Sequence, residues 1–279
     1  MSVKSKKFVI LCGLAIYFLV TAVWLPGQET RPPVRFNTNF PGAAIGKIEY
    51  LGNETYRCAI DGQYNQFGRN RQATWFCFRL DDAKDRAMTI RLTNLKGEYN
   101  NRPARGDWSK ERPVYSYDQV HWTLMEDVTW DAASGEFSFS ITPKQETVWI
   151  AYTPLYVPSH LEKLLGDVAA SPRVRTEVLG KTVHNRDIYE LTITDFAVDD
   201  TQKRHYWIVA RLHAWEALTS WVAEGLVRFL CDTESEQAAT ICRQAVVHVV
   251  VMPDPDGCIR GMVRYNLNGF DTNRNWAAI

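Results

Sequence analysis

Short runs in which apolar and polar residues alternate fill the chain from residue 34 to about residue 153. The clearest runs have the period of two expected for strands with one buried face, and they are residues 74–80, 88–93, 136–141 and 147–152. Turn-forming pairs such as Asp61-Gly62 and Ser134-Gly135 separate the runs, and no convincing helical periodicity interrupts them. The pattern therefore predicts an antiparallel β-sandwich domain over residues 34–153.

The pattern changes at residue 154 to strands and helices in alternation. Residues 206–212 form an apolar run typical of a strand, and residues 217–230 have helical spacing. Residues 245–252 are almost wholly apolar, as in a strand that is buried on both faces. Because a strand, a helix and a second strand in this order indicate a crossover connection, we predict an α/β domain over residues 154–279, with a mixed sheet and flanking helices.

Capping residues and apolar spacing set the predicted helices. Ser159 is suited to cap a short helix over residues 160–165, and Thr233 with Glu236 is a capping box for a helix that ends near residue 243. The longest helix is predicted to bury one apolar face, made of Leu218, Trp221, Val222, Leu226, Phe229 and Leu230.

The first 27 residues have the features of an export leader. Lys4, Lys6 and Lys7 precede an uncharged apolar run over residues 8–25. This run is long for a cleaved signal peptide and just long enough to span a bilayer, so a signal peptide and a membrane anchor both stay open. The positive charges before the run place the rest of the chain outside the cytoplasm. We expect a secreted or periplasmic protein, or one attached to the membrane through residues 8–25.

Composition narrows the classes of function. The chain has 32 basic and 32 acidic residues and no basic run, which argues against a nucleic-acid partner. Six cysteines include no C-x-x-C pair, so neither a zinc ribbon nor a thioredoxin-like motif is present. The absence of G-x-S-x-G, Walker-type and G-x-G-x-x-G segments argues against a serine hydrolase or a nucleotide-dependent enzyme.

An imidazole and a carboxylate follow the predicted strand over residues 206–212. His213 and Glu216 are three residues apart at the junction between this strand and the next helix, where α/β folds place their sites. Both side chains can reach one Zn²⁺ ion, because zinc accepts nitrogen and oxygen ligands at about 2.0–2.2 Å. Taken alone, the pair also fits a solvated histidine beside a carboxylate at a helix N-terminus.

Two later segments carry a family resemblance. They are Val-Met-Pro-Asp-Pro-Asp-Gly at residues 251–257 and Asn-Gly-Phe-Asp-Thr-Asn-Arg-Asn-Trp at residues 268–276. With the His-x-x-Glu pair they resemble the zinc carboxypeptidase family over residues 152–276. Residues 71–79 and 149–155 are similar to the β-sandwich domain that precedes the catalytic domain of cytosolic carboxypeptidases. The subgroup's name conflicts with the export leader, so we take the compartment from the leader and the chemistry from the resemblance.

The resemblance implies a role for five residues. It makes His213 and Glu216 ligands of Zn²⁺ and places Asn273 and Arg274 at the terminal carboxylate of a peptide or protein substrate. A planar guanidinium suits this place because it can bind a carboxylate through two hydrogen bonds. Arg264 corresponds to the arginine that stabilises the oxyanion when water attacks the scissile carbonyl.

Some residues depart from the family pattern or fall outside it. Ala214 and Trp215 stand where the family has Pro-Gly, and Trp215 would narrow the site or stack on a substrate. Asp254 stands where the family's turn has Asn. His248, in the middle of an apolar strand, is predicted to be a core residue rather than a ligand, and His184 repeats the spacing to an acidic residue without a site around it.

The family's third zinc ligand, a histidine, and its general base, a glutamate, lie downstream of the Asn-Arg motif. The chain ends three residues after Trp276, so we expect the front part of a larger exported metallocarboxypeptidase, inactive by itself. The alternative is a non-catalytic extracytoplasmic module that binds a peptide or a glycan. The sequence leaves open which C-terminal residue is removed and what the oligomeric state is.

Overall fold

The structure is a computed structural model that describes residues 32–103 and 106–276. The predicted leader over residues 1–27 lies outside the described residues. In the described ranges, no helix has both the length and the apolar character needed to cross a membrane.

Strands dominate residues 35–151. In chain order they are β1 (Arg35–Asn37), β2 (Ile48–Gly52), β3 (Thr55–Ala59), β4 (Gln63–Tyr64), β5 (Arg71–Gln72), β6 (Cys77–Asp81), β7 (Met88–Thr93), β8 (Glu98–Tyr99), β9 (Arg102–Pro103), β10 (Val114–Ser116), β11 (Trp122–Leu124), β12 (Val128–Asp131), β13 (Glu136–Ile141) and β14 (Val148–Ala151). One sheet has the order β1-β6-β14-β10-β11 and the other has the order β12-β13-β7-β3-β2. The strands β4 and β5 form a hairpin beside these sheets, and so do β8 and β9.

The predicted sandwich is confirmed, with one departure from antiparallel pairing. Met88, Ile90 and Leu92 of β7 are buried while the residues between them are not, as period two requires. Phe78 in one sheet and Phe139 in the other belong to the same buried cluster, so the two sheets share a core. The strands β3 and β7 pair in parallel, because the chain passes through β6 in the other sheet between them.

The chain after residue 157 alternates helices and strands. Its elements are α1 (Pro158–Val168), β15 (Val174–Lys181), β16 (Asp187–Ile193), a 3₁₀ turn (Asp200–Gln202), β17 (Arg204–Val209), α2 (Ala217–Cys231), α3 (Glu236–Gln244), β18 (Ala245–Val250) and α4 (Pro255–Ile259). The sheet has the order β15-β16-β18-β17. Within this sheet, β17 and β18 pair in parallel through the crossover that contains α2, and the other neighbouring strands pair antiparallel. The mixed sheet with flanking helices is therefore confirmed.

The buried face of α2 differs from the predicted one. Leu218 and Val222 are exposed, and the helix buries a face that includes Ala217, Ser220 and Ala223. Small side chains let the helix lie close to the sheet, and the Ser220 hydroxyl donates to the carbonyl of the residue after β18 at 2.8 Å. The prediction was right for Leu230, which is buried, and in part for Trp221 and Leu226, which pack against the core. It was wrong for Leu218, Val222 and Phe229, which are exposed.

Two predicted helix starts were also wrong. The start of α3 is capped by Ser235 rather than Thr233, since the Ser235 hydroxyl accepts from the Ala238 amide at 3.2 Å. The start of α1 is at Pro158, whose ring fixes the first helical turn, so Ser159 lies inside the helix.

The sandwich and the α/β part share a second core. Trp75 and Ala151 of the sandwich are buried in the same cluster as Leu161 of α1 and Val249 of β18. The indole of Trp75 donates to the Gly42 carbonyl at 2.9 Å. The two parts are therefore packed together over an apolar surface next to the loops that follow β18.

Five cysteines lie within the described ranges, and all five are buried free thiols. Burial raises the pKa of Cys58 to about 12, because a thiolate is poorly solvated there. Such thiols behave as small apolar side chains.

Candidate metal centre

The turn between β17 and α2 is fixed by a buried arginine. Arg211 has a φ of 51°, in the left-handed region that non-glycine residues rarely adopt. Its guanidinium is buried and donates to the carbonyl of Ala214 at 2.7 Å and to that of Tyr156. These bonds bend the chain sharply after the strand, so that residues 213–216 stand at the carboxyl end of the sheet.

His213 lies between two carboxylates. Its side chain is buried, with Nδ1 at 2.9 Å from Oε1 of Glu216 and Nε2 at 3.0 Å from Oδ1 of Asp271. Two ligand atoms of one tetrahedral zinc ion are separated by roughly 3 to 3.5 Å. The Nδ1 atom of His213 and the carboxylate of Glu216 are therefore spaced as two ligands of one metal ion.

Asp271 links this histidine to the predicted oxyanion arginine. Its Oδ2 accepts from Nε of Arg264 at 2.6 Å. Burial raises the pKa of Asp271, but the hydrogen bonds from His213 and Arg264 outweigh burial and hold the pKa below its ordinary value. Asp271 was not among the predicted site residues, although it begins the Asp-Thr-Asn-Arg segment two positions before Asn273.

The donor set fits zinc in type but supplies only two ligands. A neutral imidazole whose second nitrogen is held by a carboxylate is the usual arrangement at protein zinc sites. Within residues 32–103 and 106–276, no third histidine, cysteine or acidic residue joins this pair in a group able to hold a metal ion.

The predicted substrate residues lie in the same loop as Asp271. Arg274 is exposed, and its Nη1 donates to the Asn273 carbonyl at 2.9 Å. The side-chain oxygen of Asn273 accepts from the indole of Trp276 at 3.0 Å. Arg264 and Arg274 face one cavity of about 550 Å³, whose opposite wall comes from the sandwich. Asp271, which contacts His213, lines the same cavity as both arginines.

Trp215 is not among the residues that line the cavity beside Arg264 and Arg274. Its ring contacts that of Tyr152 at the end of the sandwich, with centroids 5.8 Å apart. Its amide donates to the Val263 carbonyl at 3.1 Å. The departure from the family's small residues at this turn is therefore accommodated by packing against the sandwich.

The acidic turn after β18 caps α4 and binds the connection between β15 and β16. Asp254 caps α4 by accepting from the Gly257 amide at 3.0 Å, and its burial raises its pKa above the ordinary value. Asp256 is buried and accepts from the His184 amide at 2.9 Å and from the guanidinium of Arg186. His184 therefore contributes a backbone contact to this turn.

His248 is half-buried on the outer face of the sheet, so its prediction as a core residue was wrong. Its Nδ1 lies 2.6 Å from Oε1 of Glu190, and the ring of Trp207 stacks on it with centroids 4.4 Å apart. Alternation along β18 places this side chain opposite the face that packs on the helices.

Comparison with known families agrees with this geometry. Residues 161–279 match the zinc carboxypeptidase family, and residues 36–153 match the cytosolic carboxypeptidase N-terminal domain. The chain therefore carries a zinc carboxypeptidase domain preceded by a cytosolic carboxypeptidase N-terminal domain, as the sequence predicted.

The chain spans less than two thirds of the length of the relatives it matches. An uncharacterised protein of Zymomonas mobilis is 28% identical over 244 residues, which cover 88% of this chain and 60% of that protein. Mouse cytosolic carboxypeptidase 3 is 30% identical over 265 residues, which cover 88% of this chain and 26% of that protein. A crystal structure of a metallo-carboxypeptidase from Burkholderia cenocepacia has a TM-score of 0.77 at 27% identity, and the match covers 88% of this chain and 63% of that one.

Proposed function

We propose that this chain supplies zinc-binding and substrate-binding residues of a metallocarboxypeptidase, which hydrolyses the last peptide bond of a peptide or protein. The observation that carries the proposal is the position of His213 between Glu216 and Asp271 at the end of β17. Arg264 is bonded to the same aspartate, so the candidate metal ligands and the candidate oxyanion residue form one connected group.

The histidine and its two carboxylates have separate tasks. With zinc bound, the N–H at Nε2 of His213 would donate to Asp271, and the lone pair of Nδ1 would be available to the metal ion beside Glu216. His213 and Glu216 would hold the zinc ion, which when bound supplies Lewis acidity for peptide hydrolysis.

The two arginines would bind different groups of the substrate, its terminal carboxylate and its scissile carbonyl. Arg274, with Asn273, binds the free carboxylate of the C-terminal residue, because its exposed guanidinium faces the cavity. Arg264 is half-buried and held by Asp271, so it offers a fixed donor for the negative charge that develops on the scissile carbonyl oxygen. Recognition of a free carboxylate would restrict cleavage to the C-terminal bond.

The wider organisation follows the sequence pattern. We propose a sandwich domain over residues 34–153, a catalytic domain over residues 154–279, and an export leader that places both outside the cytoplasm. Fractionation of cells that express the natural gene tests the location. Protein found only in the cytosol would contradict it.

A pair of matched peptides tests the activity. One has a free C-terminal carboxylate and the other a C-terminal amide, and the protein encoded by the natural gene is incubated with each. We expect release of the last residue from the free peptide only, and loss of this release in His213→Ala. His121→Ala, at an exposed histidine of the sandwich, is the control and should keep full activity. Equal cleavage of both peptides, or activity that survives His213→Ala, would contradict the proposal. Peptide binding without hydrolysis would favour the non-catalytic module.

A further inference from the structure

One side chain of the sandwich holds the backbone of the Arg264 loop. The Oε1 atom of Gln63 accepts from three consecutive amides at 3.1, 2.9 and 2.9 Å, those of Val263, Arg264 and Tyr265. Its Nε2 donates to the Tyr265 carbonyl. A single carboxamide therefore pairs with four backbone groups about 200 positions further along the chain.

The loop that contains these amides offers them few other hydrogen-bond partners. The segment after α4 has no regular strand, and its only bridge within the described residues joins Tyr265 to Asp271. Backbone amides that are shielded from water need a partner, and an unpaired one destabilises the conformation that buries it. Gln63 therefore selects the loop conformation in which three amides converge on one oxygen.

The hairpin that carries Gln63 is held in place by hydrogen bonds from a buried arginine. Gln63 begins the β4–β5 hairpin, and the buried guanidinium of Arg71 in β5 donates to the carbonyls of Asp61, Lys96 and Asn94 at 2.9, 2.9 and 2.8 Å. The same hairpin makes a second contact with the loop, because the Gln66 amide donates to the Gly269 carbonyl at 3.1 Å.

The hairpin also forms a wall of the cavity that contains the arginines. Asn65, Phe67 and Asn70 line this cavity together with Arg264 and Arg274. The sandwich is therefore next to the place where the proposed function puts the substrate.

The geometry points to Gln63 as a positioning residue for Arg264. This inference rests on the proposed function, because it concerns how Arg264 reaches the scissile carbonyl. The backbone of Arg264 is held by Gln63 and its guanidinium by Asp271, so both ends of the residue are fixed before a substrate binds. A preorganised donor stabilises a developing charge without reorganisation during the reaction. Loss of the backbone anchor should weaken that stabilisation while leaving the metal ligands in place.

Hydrogen exchange tests the anchor without any assay of activity. Gln63→Met keeps the length of the side chain and removes its hydrogen bonds, and Gln145→Met, at an exposed glutamine in the connection between β13 and β14, is the matched control. We expect the amides of Val263, Arg264 and Tyr265 to exchange at least about tenfold faster in Gln63→Met and at the wild-type rate in the control. Gln63→Glu keeps the accepting oxygen and should retain most of the protection. Unchanged exchange in a folded Gln63→Met would overturn the inference.

A double-mutant comparison in the complete natural enzyme tests the functional part. Gln63→Met should lower kcat by about 10- to 100-fold, as a small misplacement of a catalytic group does, with KM within about twofold and zinc content unchanged. In an Arg264→Ala background the same substitution should change kcat by less than about twofold. An equal loss of kcat in both backgrounds would overturn the positioning role. Absence of hydrolysis by the wild type would overturn the proposed function, and hydrogen exchange would still decide whether Gln63 anchors the loop.

Discussion

The Nε2 atom of His213 lies 3.0 Å from Oδ1 of Asp271, a residue 58 positions further along the chain. This contact joins the turn after β17 to the loop that carries both candidate arginines. The other ring nitrogen, Nδ1, lies 2.9 Å from Oε1 of Glu216, the second candidate metal ligand. The aspartate therefore connects the candidate metal ligands and the candidate arginine Arg264 in one hydrogen-bonded group.

The first prediction concerns this contact. Asp271→Asn removes the negative charge that orients and polarises His213, so zinc affinity should fall by about 10- to 100-fold. Competition with a chelator of known affinity measures the change. Asp127→Asn, at an exposed residue next to β12, is the matched control and should bind zinc as the wild type does. Equal affinities for wild type and Asp271→Asn would show that this carboxylate does not support the site.

The second prediction concerns the substrate's carboxylate. Arg274→Ala should raise KM for peptides by about 10- to 100-fold, because a charge-assisted hydrogen bond to the bound substrate is lost. The value of kcat should change much less. Arg274→Lys should recover only part of the loss, since an ammonium group cannot bind a carboxylate in the bidentate manner of a guanidinium. Arg243→Ala, at an exposed arginine of α3, is the control. An unchanged KM for Arg274→Ala would remove this residue from the substrate site.

Local patterns in the sequence predicted most elements of the fold. Alternation gave β7 and β13 with their observed bounds, and helical spacing gave α2 to within one residue. Spacing placed Leu230 correctly on the buried face of α2 but not Leu218 and Val222, because small residues such as Ala217, Ser220 and Ala223 also lie on that face. Gln63 and Asp271 were missed as site residues for a different reason. Their contacts join loops that are distant in sequence, and no local periodicity records such an approach.

The third prediction concerns pH and the buried carboxyl of Asp254. Burial raises its pKa in the folded state above the unfolded value of about 3.9. The folded protein then binds more protons than the unfolded one, so this group lowers stability as pH rises from about 4 through its folded pKa. Asp254→Asn keeps the oxygen that caps α4 and removes the charge. The variant should unfold at a higher temperature than the wild type at pH 7.5, by roughly 2–4 °C for each kcal/mol gained, and at the same temperature near pH 3.5. A lower unfolding temperature at pH 7.5 would contradict this account.

The fourth prediction concerns Asp256, whose pKa shift has the opposite sign. Burial raises the pKa of this carboxyl, but bonds from the His184 amide and Arg186 outweigh burial and hold the pKa below its ordinary value. Its stabilising effect is therefore complete above about pH 4 and is lost as pH falls through the folded pKa. Asp256→Ala should lower the free energy of unfolding at pH 7 by about 1–3 kcal/mol, because the bonds that the buried carboxylate accepts from the His184 amide and Arg186 are lost. Urea unfolding measures this loss, with exposed Asp127→Ala as the control. Equal stability of Asp256→Ala and wild type at pH 7 would contradict the role of this contact.

Metal analysis of the protein encoded by the natural gene tests whether His213 and Glu216 bind zinc. The wild type should contain about one zinc ion per chain, as a catalytic zinc site does. His213→Ala should lose that zinc while remaining folded, and His121→Ala should keep it. A wild type without zinc, or a His213→Ala variant that retains it, would contradict the assignment of His213 and Glu216 as metal ligands.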